Sequence, residues 1–235
     1  MKILAIDSSG AVASVAVIED GIVTGEYSIN NKLTHSQKLM PMIDQLLKSL
    51  DLKPCDIDVF GCAIGPGSFT GLRIGISIVK GMAQALDKPV VGIPTLDGLA
   101  WNLSGFLGYI CPIIDARNDN VYTGIYSSEA SESGISLKSE YKAIHIKELI
   151  ETLPNDKPIA FVGDAVFKFK ELLRENLGGL CFIPSTHLLL QKASSVGYAC
   201  HLLASTGKLV SAYSLTPLYL RTSQAERMQG RILIF

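Results

Sequence analysis

The run Gly65-Pro66-Gly67-Ser68-Phe69-Thr70-Gly71-Leu72-Arg73-Ile74-Gly75 constrains this chain more than any other segment. An apolar, strand-like stretch, Val59 to Ile64, leads into it, and a helix-compatible stretch, Leu72 to Leu86, leads out. A glycine-rich turn between strand and helix presents backbone N–H groups at the positive end of a helix, where phosphates are often cradled. The same glycines also suit a sharp turn and tight packing. Gly71 and Gly75 sit four residues apart on one helix face, a spacing that lets another backbone approach closely. The run is therefore either a nucleotide site or a packing device.

The flanking segments set the fold class. Lys2 to Ile6, Ala13 to Ile18 and Ile22 to Ile29 read as three strands joined at Asp7-Ser8-Ser9-Gly10 and Glu19-Asp20-Gly21, an antiparallel meander. Ser36 to Leu50 reads as a helix, because Leu39, Met40, Ile43, Leu46, Leu47 and Leu50 recur at helical spacing, with Thr34 or Ser36 as a cap. The second helix, from about Ser68 to Leu86, carries Leu72, Ile76, Val79, Met82, Ala83 and Leu86. A strand from Val90 to Ile93 follows, and Pro94 opens a helix running to about Leu103. A second meander then starts at Tyr109, turns at Asp115-Ala116-Arg117-Asn118 and continues through Val121 to Tyr126. Ser127 to Glu140 is a Ser/Glu-rich hairpin tip or loop, and a third strand follows it. Helices are predicted over His145 to Thr152, Ala165 to Asn176 and Gln191 to Ser205, with a strand from Ile159 to Gly163. Two α/β halves, 1–105 and 106–235, each opening with a meander that turns at an aspartate, suggest a duplication. That is what the actin-like ATPase architecture requires. The last helix and tail are expected to pack back towards the first half.

Composition excludes several function classes. The 235 residues suffice for one large domain or two small ones. A formal net charge of −1 argues against a stand-alone nucleic-acid binder. The 5 cysteines include no C-x-x-C pair, so zinc and dithiol chemistry are not expected, and a reducing cytoplasm fits them. Neither a secretory leader nor an apolar stretch of ~20 residues is read, so no membrane partner is expected.

Ile3-Leu4-Ala5-Ile6-Asp7-Ser8-Ser9, the Gly65 to Gly75 run, Asp115-Ala116-Arg117 ahead of Val121-Tyr122, and Pro217-Leu218-Tyr219-Leu220-Arg221 with Ala225-Glu226 together resemble the TsaB (YeaZ) family. This family belongs with the TsaD/Kae-like proteins once called glycoproteases. The resemblance covers nearly the whole chain, and the glycine run is its most specific part. It implies the actin-like/sugar-kinase (ASKHA) fold. It also implies a non-catalytic role in forming threonylcarbamoyladenosine next to the anticodon of tRNA. The implied partners are a TsaD-like catalytic subunit, a TsaE-like ATPase and, for the chain alone, a second copy of itself; tRNA is reached through the complex.

Comparison with the catalytic paralogue bears on whether this chain holds ligands of its own. Counting forward from Gly67, the paralogue's metal-binding H-x-x-x-H falls on Thr95-Leu96-Asp97-Gly98-Leu99, and leucine offers a metal no lone pair. His35, His145, His187 and His201 show no i, i+4 pairing. In the first phosphate loop, Asp7, Ser8 and Ser9 remain as a vestige, but Ala11, Val12 and Ala13 stand where the paralogue has Asp, Glu and Thr. Arg117 and Asn118 leave little room for backbone approach to a phosphate in the second loop. Gly163-Asp164 reads as a strand-to-helix turn. Ser8, Ser9 and Ser68 lack the G-x-S-x-G elbow of a serine hydrolase. No cofactor or metal is expected on this chain; ATP and metal belong to the TsaD-like and TsaE-like partners. The competing expectation is an ATP-dependent enzyme of the sugar-kinase type.

By resemblance, the first two helices form a four-helix interface with the equivalent helices of a partner. The candidate contacts are Leu39, Met40, Ile43 and Leu47 on one helix and Leu72, Ile76, Val79 and Met82 on the other, with Gly71 and Gly75 permitting close approach. About half of these apolar residues must instead face the chain's own sheet. Two helices per partner can bury a standard interface of roughly 1,600 Å².

Overall fold

The computed structural model describes residues 1–31, 35–128 and 134–221. Thr34, the Ala225-Glu226 pair and the tail from Arg231 to Phe235 lie outside the described residues.

The opening meander forms as its alternation and turns predict. Strands β1 (Lys2–Asp7), β2 (Ala13–Glu19) and β3 (Ile22–Ile29) are antiparallel neighbours. Helix α1 (His35–Ser49) leads to β4 (Val59–Gly65), which pairs parallel to β1; α2 (Phe69–Leu86) leads to β5 (Val90–Pro94), parallel to β4. The sheet order is β3-β2-β1-β4-β5. Helix α3 (Thr95–Trp101) then crosses to the second half.

The second half repeats this plan. Strands β6 (Tyr109–Asp115), β7 (Asn120–Thr123) and β10 (Lys142–His145) form the antiparallel meander, with β8 (Tyr126–Ser127) and β9 (Ser136–Leu137) as a side hairpin on β6. Helix α4 (Ile146–Thr152), strand β11 (Ile159–Val162), helix α5 (Val166–Leu177) and strand β12 (Cys181–Phe182) follow. The order β10-β7-β6-β11-β12 matches the first sheet strand for strand, with the same pattern of antiparallel and parallel pairs. The fold is the duplicated actin-like/sugar-kinase architecture. The single strand expected from Val121 to Tyr126 is interrupted at Gly124-Ile125, where the Ile125 N–H donates to Ser139 Oγ at 2.9 Å rather than to a strand.

The two halves exchange a helix. Leu96, Leu99, Ala100 and Leu103, on and just after α3, pack with Ile110, Ile114, Tyr126 and Val162 of the second sheet. Helix α6 (Ala193–Ser205) returns to the first sheet, where Val196, Ala199 and Cys200 pack on Ile3, Ala5, Ile18 and Val91. Three bonds fix its start: the Ala193 N–H donates to Ser14 Oγ, and the Ser194 N–H and hydroxyl both donate to Glu26 Oε1, each at 2.9 Å. A carboxylate at the positive end of a helix adds a favourable charge–dipole interaction. Trp101 meets Tyr198 edge to face at 5.0 Å, joining α3 to α6. No helix among the described residues is long and apolar enough to cross a membrane.

Candidate functional site

Two surfaces are candidates: the cleft between the halves and the outer face of α1 and α2. Both depend on how the glycine run folds. Ser68 caps α2, its hydroxyl accepting from the Gly71 N–H at 3.2 Å. The Ser68 N–H donates to Ser9 O at 2.7 Å, and Ser8 Oγ donates to Gly71 O at 2.9 Å. A Cβ at Gly71 would overlap Ser8 O, and one at Gly75 would overlap Ser8 Oγ. The close approach that this spacing permits is thus made by the chain's own β1–β2 turn. This corrects the expectation that Gly71 and Gly75 accommodate a partner helix.

The vestigial phosphate residues are enclosed by the same contacts. Asp7, Ser8 and Ser9 are buried. Asp7 Oδ1 accepts from the Ser9 N–H at 2.9 Å and the Ser9 hydroxyl at 2.6 Å, so it closes its own turn. Burial pushes the Asp7 carboxyl up to about 6, against the opposing pull of the Ser9 bonds and of His35. His35 itself bonds Gly10 O through Nε2 at 2.8 Å.

The cleft beside this turn has a volume of about 690 Å³. Its walls are the β1–β2 turn, the start of α2, the β6–β7 turn and the segment Leu218 to Arg221. On the second wall, Asp115 Oδ1 accepts from the Arg117 N–H at 2.9 Å. Arg117, Asn118 and Asp119 all adopt left-handed backbone, with φ of 67°, 51° and 56°. Asp164, across the turn, accepts from the Asp115 N–H at 3.0 Å, and burial raises its carboxyl pKa.

The segment after α6 straps the cleft mouth. The Leu218 N–H donates to Ile64 O at 2.7 Å, at the end of β4. Tyr219 stacks on Phe69 at 4.9 Å, and Arg221 Nη1 donates to Ala116 O at 3.3 Å on the opposite wall. Sequence reasoning quoted Pro217 to Arg221 but gave it no role, since its partners lie more than a hundred residues away.

The Thr95 to Leu99 stretch is the first part of α3. Thr95 and Leu99 are both buried, Leu99 among the apolar residues that pack on the second sheet. Asp97 Oδ1 accepts hydroxyls from Tyr126 and Tyr141, both at 2.6 Å, and burial raises the Asp97 pKa. No group of three or more His, Cys, Asp or Glu among the described residues could hold a metal ion. Ser8 and Ser9 spend their hydroxyl protons on Gly71 O and Asp7, so neither has the histidine relay of a serine nucleophile. Cys62, Cys111 and Cys200 are buried thiols; burial raises all three, Cys111 to about 12, which keeps it unreactive at neutral pH.

The outer helix face differs from the expected one. Leu39, Ile43, Leu47, Leu72, Ile76 and Val79 are all buried in the core between α1, α2 and the first sheet, with Leu72 and Val79 no more than 1% exposed. They are unavailable to a partner. The reason is the rotation of each helix: the sheet takes the strip Leu72-Ile76-Val79-Ala83, whereas Ile74, Ile78 and Met82 follow a flanking strip that is only half-buried against the same core. Of the named candidates, Met40 is exposed (47%) and Met82 is half-buried. Met40, Phe69, Ile74 and Ile78 line a groove of about 600 Å³ between the helices, with Arg73 at its edge. Phe69, Arg73, Ile74 and Ile78 were missed as residues of the outer groove. The signal was the second apolar strip on α2, which periodicity shows but cannot orient.

Residues 26–228 match the family model described as TsaD: tRNA N6-adenosine threonylcarbamoyltransferase. The Bacillus subtilis tRNA threonylcarbamoyladenosine biosynthesis protein TsaB is 32% identical over 96% of both chains, and its Escherichia coli namesake is 31% identical over 98% of this chain and 100% of that one. Among solved structures, a Pseudomonas aeruginosa protein described as similar to peptidase YEAZ superposes with a TM-score of 0.81 at 25% identity, covering 94% of this chain and 99% of that one. With its duplicated halves, its glycine run folded against the Asp7 turn and full-length similarity to both bacterial TsaB proteins, the chain belongs to the TsaB (YeaZ) branch of the TsaD family.

Proposed function

We propose that this chain is a non-catalytic subunit of the machinery that forms threonylcarbamoyladenosine next to the anticodon of tRNA. It docks a TsaD-like catalytic subunit through the outer face of α1 and α2. The observation that carries this reading is the apolar groove on that face: it is lined by the exposed Met40 and by Ile74 and Ile78, which are half-buried against the core beneath. The phosphate-loop vestiges support the non-catalytic part. The first is filled by its own side chains, and the second carries Arg117 and Asn118 where backbone would approach a phosphate. In this reading ATP and metal reside on the TsaD-like subunit and a TsaE-like ATPase. The chain alone pairs with a second copy through the same face, tRNA is met through the complex, and the setting is the cytoplasm.

Co-expression with the TsaD-like subunit tests the proposal. Wild-type chain is expected to co-purify with it, and modification of tRNA in a reconstituted system should require both. Met40→Asp and Ile78→Asp should each abolish co-purification; the melting temperature should stay within a few degrees for Met40→Asp, whose side chain is exposed, and fall further for Ile78→Asp, whose side chain is half-buried against the core. Retention of the complex by both variants would sink docking through the groove. The second reading, an ATP-dependent enzyme of the sugar-kinase type, draws on the cleft volume, which suits a nucleotide. Calorimetric titration of the isolated chain with ATP separates the two readings, since micromolar binding with turnover supports the enzyme.

A further inference from the structure

The groove carries one charge. Among the described residues that line it, Arg73 is the single ionised side chain; the others are Ser36, Met40, Phe69, Thr70, Ile74, Ser77 and Ile78. Its guanidinium is held in place. The Cζ lies 3.8 Å from the centre of the Phe69 ring, and Nε donates to the Tyr219 hydroxyl at 3.3 Å. Tyr219 in turn stacks on Phe69 at an interplanar angle of 25°. The Leu218 to Arg221 strap thus locks an arginine on an aromatic pair, and Arg73 is an exposed residue of the groove lining. Such an arrangement loses little side-chain entropy on binding and presents a fork that matches a carboxylate.

We infer that Arg73, positioned by Phe69 and Tyr219, selects a heterologous partner helix carrying a carboxylate over a second copy of this chain. This inference rests on docking through the α1/α2 face. Charge complementarity carries it. A two-fold self-dimer seats this face on its own copy. It therefore brings up a second Arg73 and, from the groove lining, no carboxylate. The nearest acid on the outer face of α1 is Asp44, one turn beyond Met40, and it is already paired with Lys48 at 2.7 Å. A guanidinium covered without an acceptor opposes association, whereas a partner Asp or Glu meeting the fork favours it. The partner then displaces the self-dimer without needing a larger apolar area.

Three variants test this with the purified full chain and the TsaD-like subunit. Arg73→Gln should lower affinity for the TsaD-like subunit by about tenfold or more while leaving self-association by sedimentation unchanged or tighter. Arg73→Lys should not restore the affinity, because an ammonium neither forks nor stacks as guanidinium does. Tyr219→Phe keeps the stack and removes the acceptor, so it should cost about threefold in partner affinity with no change in melting temperature. Between about 50 and 500 mM salt, the wild-type partner affinity should fall, and Arg73→Gln should lose most of that dependence. The inference is overturned if Arg73→Gln leaves partner affinity and its salt dependence unchanged, or weakens self-association as much as partner binding. Asp44 pairing across a self-dimer would produce the latter result. The two readings fail separately: if Met40→Asp and Ile78→Asp abolish partner binding and Arg73→Gln does not alter it, only the role of Arg73 falls.

Discussion

The turn after β1 and the turn after β6 are duplicates that have been put to different uses. In each, an aspartate Oδ1 accepts the N–H two residues on, at 2.9 Å in both cases: Ser9 for Asp7, Arg117 for Asp115. The first turn is buried beneath α2, because two glycines let Ser8 settle against the helix. The second is open, because the equivalent helix α5 has Lys168 at its third position where α2 has Gly71. Lys168 reaches outward and pairs with Asp119 of the turn at 2.8 Å. One geometry is therefore sealed into a core and the other left at a cleft wall. What decides between them is the residue on the facing helix, not the turn.

Substitution at the third helix position should break this difference most clearly. Gly71→Ala is expected to destabilise the chain by about 3 kcal/mol, because the added Cβ meets the backbone carbonyl of Ser8, which cannot swing aside. Lys168→Ala removes an exposed pair and should cost under about 1 kcal/mol. Gly81→Ala is the control on α2 itself: with nothing near its Cβ, it should stabilise by up to about 1 kcal/mol through helix propensity. Chemical denaturation of the three variants measures all of this, and equal effects at positions 71 and 81 would refute the packing role of Gly71.

A smaller effect is expected at Asp7. Its folded pKa of about 6 lies above the unfolded value near 3.8, so the native state binds the proton more tightly. The associated stability is fully present below the unfolded value and is lost as pH rises towards 6. At neutral pH the ionised, buried carboxylate is a cost. Asp7→Asn should therefore raise stability at pH 7 by on the order of 2 kcal/mol and flatten the stability profile between about pH 4 and 6. A steeper profile in the variant would contradict the burial of Asp7.

A small effect is expected at the backbone of the second turn. Arg117 holds φ of 67°, where glycine rests without a Cβ penalty. Arg117→Gly should raise the melting temperature slightly, by the equivalent of about 0.5–1 kcal/mol, with the greater freedom of the unfolded chain offsetting part of the relief. A loss of stability would mean that the Arg117 side chain contributes more than its backbone costs.

Much of the fold was legible because its signals are local. The meanders follow from alternation broken at Asp7-Ser8-Ser9-Gly10 and at Asp115, and α2 follows from a periodic apolar run after the glycine turn. The candidate site was legible only in part. Met40 was placed on the outer face. Leu72, Ile76 and Val79 were assigned outward together with Met82, whereas the sheet buries the first three. Helix α2 has two apolar strips, and nothing within the helix distinguishes the one that meets a sheet from the one that meets solvent or a partner. Tyr219 was invisible as a neighbour of Arg73 because 146 residues separate them.

The sequence alone determined the two opening meanders, the main helices, the duplication and, through the Gly65 to Gly75 run, the family. These depend on spacing along the chain, which local sterics and hydrogen bonding translate directly into elements. Only the tertiary structure decided that Gly71 and Gly75 serve the Ser8 turn, that α3 packs on the second half, and that Arg73 and the half-buried Ile74 and Ile78 line the outer groove. A periodic pattern fixes which residues share a helix face but leaves the rotation of that helix free. The rotation is set by contacts between segments far apart in the chain, such as Ser8 and Gly71, 63 residues apart.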